Sequence, residues 1–220
     1  MESSRMKILA AAQRVYAEHG FRGATTRRIA EMAGVNEVTL FRIFGSKDAL
    51  LEEAVRPNAT RREVAVLTDQ PVDPEAELTA WVSAQLGFLR ERRSLIRKAM
   101  SELEERPQFL ACVREGPECA HRALKGYLDT LVARGFIDAN PDLQAAIAML
   151  MGAIFGDAMG REMIPENYPR PVGSAPRAYA RVFLRAIGLR AHPVAAANGR
   201  KHAALPNVGR VTNSSGHTPR

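Results

Sequence analysis

Cysteine is scarce in this chain of 220 residues. Cys112 and Cys119 are too few for a disulfide framework and are not spaced as a C-x-x-C redox pair or as paired zinc ligands. Strand signals are also lacking, since no run of alternating β-branched residues occurs, and this leaves an all-α fold. Long apolar runs are missing too. The longest, Ala145 to Gly156, lies between Asp142 and Asp157 and falls short of the ~20 residues that span a bilayer. Met1-Glu2-Ser3-Ser4 has neither the basic nor the apolar region of a signal peptide. The expectation is a cytoplasmic protein with no membrane partner. Catalytic signatures are equally absent: the five histidines are scattered singly, with no H-E-x-x-H, G-x-S-x-G or P-loop. An enzyme is therefore the disfavoured reading, and no metal or cofactor is expected.

Acidic charge is short at one end only. Residues 1–57 hold nine Lys/Arg against seven Asp/Glu, residues 58–190 eighteen against seventeen, and residues 191–220 four against none. The net charge of +7 and pI near 9.9 thus come from a modest N-terminal cluster and an acid-free tail, which suits a nucleic-acid partner. The tail shows no periodicity and reads as flexible, able to add at most weak nonspecific attraction to DNA.

What is present is helical. In Arg5–Glu18, Ile8, Ala11, Ala12, Val15 and Tyr16 form one apolar stripe that Gly20 ends, with Phe21 placed to plug the core beneath. From Thr25 to Lys47 the spacing predicts two short helices joined by a tight turn. Thr25 is the N-cap of the first and Gly34 its left-handed terminator. Asn36 caps the second, Leu40, Phe41 and Phe44 are its apolar positions, Gly45 ends it, and Ser46 caps a further helix beginning at Lys47. This is helix-turn-helix geometry over 25–44, in which the second helix enters the DNA major groove.

These residues resemble the DNA-binding domain of the TetR family of transcriptional regulators. The resemblance is carried by His19-Gly20-Phe21, Ile29-Ala30-Glu31-Met32-Ala33-Gly34-Val35, Thr39-Leu40-Phe41 and Phe44-Gly45-Ser46-Lys47-Asp48-Ala49-Leu50. It implies an N-terminal three-helix DNA-binding domain over 2–62, a helical ligand-binding and dimerisation domain over 75–190, and the tail at 191–220. DNA contacts are expected from Thr25, Thr26, Arg27 and Arg28 at the start of the second helix. Asn36, Glu37, Val38, Thr39, Phe41 and Arg42 on the recognition helix should add base or phosphate contacts, and Lys47 should hold a phosphate. Three positions depart from the family pattern: Phe41 stands for a usual Tyr, Ile43 for a common His, and Arg28 for a common acid, so no capping box closes on Thr25.

Further along, Pro57 should kink or restart the fourth helix, and Thr68–Pro74 marks a domain joint. Apolar spacing predicts a helix ending near Arg90, one stopped by Pro107, a short piece Gln108–Glu115, and a new helix starting at Pro117. In Asp142–Arg161, Ala148, Gly152, Gly156 and Gly160 recur every fourth residue. Glycine costs about 1 kcal/mol per helix position, so a close helix approach is implied. On the last helix Tyr179, Val182 and Phe183 share a face, while Arg177, Arg181 and Arg185 form a solvated stripe. The resemblance makes these two helices the dimer interface; the alternative is that the glycines pack within their own subunit. Trp81, Met100, Tyr127, Met149 and Phe155 suit a hydrophobic or aromatic effector, but none is assigned as a contact, and the ligand-binding residues stay unknown. The resulting expectation is a ligand-responsive homodimeric repressor on a near-palindromic double-stranded operator. The rival is a helical regulator controlled by a partner protein instead of a small ligand.

Overall fold

Local capping sets the first four helices. α1 (Glu2–Gly23) is broken at Gly20, whose φ of 65° and ψ of −174° only glycine adopts readily. α2 (Thr26–Ala33) starts where Thr25 accepts from the Arg28 N–H and stops at Gly34 in the left-handed region. α3 (Glu37–Phe44) is capped by Asn36 on the Val38 N–H, and α4 (Lys47–Val55) by Ser46 on the Ala49 N–H. The helices that follow are α5 (Pro74–Glu91), α6 (Arg93–Ser101), α7 (Leu110–Ala133), α8 (Leu143–Gly160) and α9 (Ala175–Ala186). Among the described residues, single 3₁₀ turns lie at Pro107–Phe109, Pro165–Asn167 and Val172–Ser174. The computed structural model describes residues 2–56, 67–138 and 142–190, and among them there is no strand. The bend expected at Pro57, the end of the 2–62 domain and the 191–220 tail lie outside the described residues.

One expectation is corrected. The chain does not break at Gly116-Pro117: α7 is a single helix of 24 residues with Pro117 inside it. Proline removes one N–H bond and crowds the preceding turn. The buried Cys112, Leu124, Tyr127, Leu128 and Leu131 lie on both sides of it, so packing along the whole length outweighs that local cost. Cys112 and Cys119 therefore sit on one helix, the first buried and the second exposed.

Two apolar clusters form. The first joins α1–α4 (Ile8, Val15, Tyr16, Ile29, Leu40, Phe44, Leu50) to Leu95 and Ala99 of α6, to Phe109 and to Cys112 of α7. The second is built by Leu78, Trp81, Val82 and Leu86 of α5, Leu128 and Leu131 of α7, Ile147 and Ile154 of α8, and Phe183 and Leu184 of α9. The head is thus not a free-standing three-helix unit. A segment of some fifty residues buries too little apolar surface to be comfortable alone, and α6 with the start of α7 completes its core.

α8 is longer than the apolar run read from the sequence: 18 residues, mean hydropathy 1.4, enough by length and composition to cross a membrane. Its Asp157 is fully buried in an ion-pair network, and α5, α7 and α9 pack around it. A charged residue held by partners on neighbouring helices is the signature of a protein core.

Candidate nucleic-acid interface

Each cap of the head uses a side-chain oxygen as acceptor, which leaves the donors free. Thr25 Oγ1 and Asn36 Oδ1 accept from Arg28 N and Val38 N, so the Thr25 hydroxyl hydrogen and the Asn36 amide nitrogen can still be offered to phosphate oxygens. On α3 the buried pair Leu40 and Phe44 faces inward. Val38 (72% exposed) and Phe41 (44%) face outward with Arg42, and Thr39 is half-buried between them. Arg42 has no hydrogen-bond or ion-pair partner among the described residues. An outward guanidinium of this kind can read a guanine edge bidentately, and Val38 or Phe41 can meet a thymine methyl.

Other expected readers are already engaged. Thr26 donates its hydroxyl to the Glu37 carboxylate, tying the start of α2 to the start of α3. Arg28 Nη1 donates to the Gly23 carbonyl at 2.9 Å, and Arg27 pairs with Glu31 one turn on at 3.0 Å. Arg28, exposed, and Glu37, half-buried, thus already have partners within the head. Lys47 is half-buried, its Nζ 4.4 Å above the Phe21 ring. Partial burial, with Arg106 nearby, pulls the Lys47 ammonium below its ordinary pKa.

Behind the head, contacts to the C-terminal helices are polar as well as apolar. The Glu102 carboxylate accepts from Tyr16 Oη at 2.9 Å and from Phe21 N at 3.2 Å, and burial with this hydrogen bond raises the Tyr16 pKa. The ends of the Lys98 and Glu102 side chains lie over Gly20, in the space that a Cβ would take. Arg92, in the joint between α5 and α6, donates to the carbonyls of Ala54, Val55 and Arg56 at 3.5, 3.4 and 3.0 Å. It caps the C-terminus of α4 from outside the head.

The regulatory helices hold a polar centre that sequence reasoning missed. Asp157 accepts from Arg90 and Tyr179, each at 2.8 Å, and is paired with Arg161. Burial opposes its ionisation, but these donors outweigh it and hold the carboxyl at about 2. A lone acid in an otherwise apolar helix was the available signal, because such a group must find cations.

The expected dimer face divides in two. Ala148 and Gly152 are exposed, beside Met149 (74%) on α8, and Val182 (65%) is exposed on α9. Gly160 is buried instead: a Cβ there would lie 2.5 Å from the Tyr168 hydroxyl, with Gly156 3.6 Å from the same atom. Phe183 is buried in the second cluster, and Tyr179 is half-buried against Asp157. Gly160 and Phe183 are thus engaged in this chain's own packing. Arg177, exposed with Arg181 and Arg185, pairs with Glu75 at 2.9 Å. Beside that pair runs an open groove of about 660 Å³ lined by Asp73, Glu75, Thr79, Ser83 and Pro176. Trp81 and Tyr127 are buried in the second cluster, and Trp81, Met100, Tyr127, Met149 and Phe155 are all absent from the groove lining. No group of metal-ligating side chains occurs among the described residues.

A helix-turn-helix with an outward second helix, carried on a helical body, defines a DNA-binding regulator. Residues 8–54 match the family described as "Bacterial regulatory proteins, tetR family". The chain is 29% identical over 156 residues to an uncharacterised HTH-type transcriptional regulator, YvkB, of Bacillus subtilis, covering 71% of this chain and 82% of that one. It is 34% identical over 100 residues to the HTH-type transcriptional repressor AcnR of Corynebacterium efficiens, covering 42% and 52%. A putative TetR-family regulator from Mesorhizobium loti has the same fold, with TM-score 0.67 and 22% identity over 84% of this chain and 98% of that one. Residues 8–54 are thus a DNA-binding domain of the tetR type, and the likeness of the chain to HTH-type transcriptional regulators supports a DNA-binding regulator.

Proposed function

We propose that this regulator is a cytoplasmic homodimeric repressor that binds a near-palindromic operator, one head per half-site, and releases it when a small effector occupies the C-terminal helices. It is read as a binding protein without catalytic activity, the role that the names of its relatives carry. The observation that carries the reading is the outward face of α3, where Val38, Thr39, Phe41 and Arg42 stand clear of the head's own core. Thr25, Asn36 and Lys47 would hold the flanking phosphates, with the exposed Arg27 able to join them from its pairing with Glu31, setting register without reading sequence. Two heads require two copies. The apolar exposure of Ala148, Met149, Gly152 and Val182 supports a second copy packed on α8 and α9, because apolar patches of this kind mark interaction sites. Half-sites would then repeat at about 34–36 Å or a multiple of it.

Release requires that the effector favour a conformation in which the two heads no longer fit their half-sites. The groove between α5 and α9 offers room for a small molecule, and its Asp73, Glu75 and Arg177 rim favours a ligand with a polar end over a purely aromatic one. The test is a gel shift with DNA flanking the protein's own gene, followed by a release screen with small molecules. Arg42→Ala should weaken the shifted complex by about 1–3 kcal/mol and relax preference at one base pair of each half-site. A protein that retards no such DNA, or an Arg42→Ala variant with unchanged base preference, would contradict the reading.

A further inference from the structure

Two cations share one aromatic ring at the edge of the head. Lys47 Nζ lies 4.4 Å from the centroid of Phe21 and Arg106 Cζ lies 3.1 Å from it. They come from different parts of the chain: Lys47 opens α4, and Arg106 sits between α6 and the 3₁₀ turn at Pro107, beyond the residues that match the family. Neither forms an ion pair among the described residues. Glu102, an acid on the same side, is spent on Tyr16, Phe21 N and Lys98, the last at 3.4 Å. Asp48 and Glu102 favour the Lys47 charge only at longer range, and Arg106 opposes it. Glu105, next to Arg106, lies 3.8 Å from Arg22.

Like charges held together on one ring repel, and an uncompensated pair of this kind is stabilised by whatever anion comes to it. Lys47 stands at the edge of the surface that carries α3, where the anion on offer is a DNA phosphodiester. We propose that Arg106 is a phosphate-binding residue of the DNA interface, contributed from beyond the head and sharing the Phe21 ring with Lys47. The inference rests on the DNA-binding reading of the head and adds a residue outside it. It also makes DNA affinity depend on where the turn between α6 and α7 sits, because Arg106 moves with that turn while Lys47 moves with α4.

The experiment is fluorescence anisotropy of the full-length protein on a labelled duplex of arbitrary sequence, titrated from roughly 50 to 200 mM salt. Phosphate contacts need no operator, and each contributes about 0.9 to the slope of log affinity against log salt. Arg106→Gln should lower the slope by about 0.9 per head, as Lys47→Ala should. Arg106→Lys, which keeps the charge, should hold most of the slope. A slope unchanged in Arg106→Gln but lowered in Lys47→Ala overturns the inference and leaves the head intact as a DNA-binding unit. Equal loss in Arg106→Gln and Arg106→Lys overturns it too, since the ring contact would then matter and the charge would not. No duplex binding by the wild-type protein, or no effect of Lys47→Ala, removes the reading of the head and the inference with it.

Discussion

Replacing Asp157 by Asn removes the charge at the centre of the regulatory helices while keeping the side chain's shape. In the native protein this carboxylate is fully buried and accepts from Arg90, Arg161 and Tyr179. The substitution leaves Arg161, 11% exposed, and Arg90, 29% exposed, without their anion. Breaking a buried ion pair from one side costs about 3–5 kcal/mol, and because Arg90 can still reach water, the lower end applies. For a chain of this size each kcal/mol moves the melting temperature by roughly 2–4 °C, so a drop of roughly 6–12 °C is expected at neutral pH. The same carboxyl sets an acid limit. Its folded pKa of about 2 lies below the ordinary value of 3.8, worth on the order of 2 kcal/mol when fully ionised. Since the depressed group is harder to protonate folded than unfolded, that stabilisation is complete above about pH 5 and fades as pH falls from about 4 towards 2. Circular-dichroism melts at matched protein concentration, from pH 7 downward, read both effects. A drop under about 3 °C at neutral pH, or an acid dependence below pH 4 that is identical in wild type and Asp157→Asn, would refute the network as a stabilising element.

Arg92→Met keeps the packed stem but strips the cap from the three carbonyls ending α4; denaturant unfolding should show a loss of about 1–2 kcal/mol, and no loss would mean that water caps α4 equally well. Gly160→Leu, which adds far more bulk than the Tyr168 hydroxyl can yield to, should lower the melting temperature by the equivalent of about 1–3 kcal/mol; an unchanged melting temperature would mean that the contact is not close-packed. Met149→Arg, on the open face, should shift the protein towards monomer in light scattering with little thermal effect; a fully dimeric Met149→Arg protein would put the interface elsewhere.

The local parts of this protein were legible before any tertiary contact. Thr25, Asn36 and Ser46 cap α2, α3 and α4 as their chemistry dictates, and Gly34 closes α2 in the left-handed region. Each of these depends on neighbours within one turn, so the sequence alone suffices. The inward Leu40 and Phe44 and the outward Val38 and Arg42 follow from the helical period for the same reason. Tertiary structure decided everything that depends on which distant surface arrives. It carried α7 through Pro117 and buried Gly160 under Tyr168. It gave Asp157 its arginines, set Arg92 on the end of α4, and brought Arg106 to the ring of Phe21. These partners lie up to 85 residues apart in sequence, as Phe21 and Arg106 do. Nothing in the spacing of either segment encodes the other; only the burial of two shared apolar clusters brings them together.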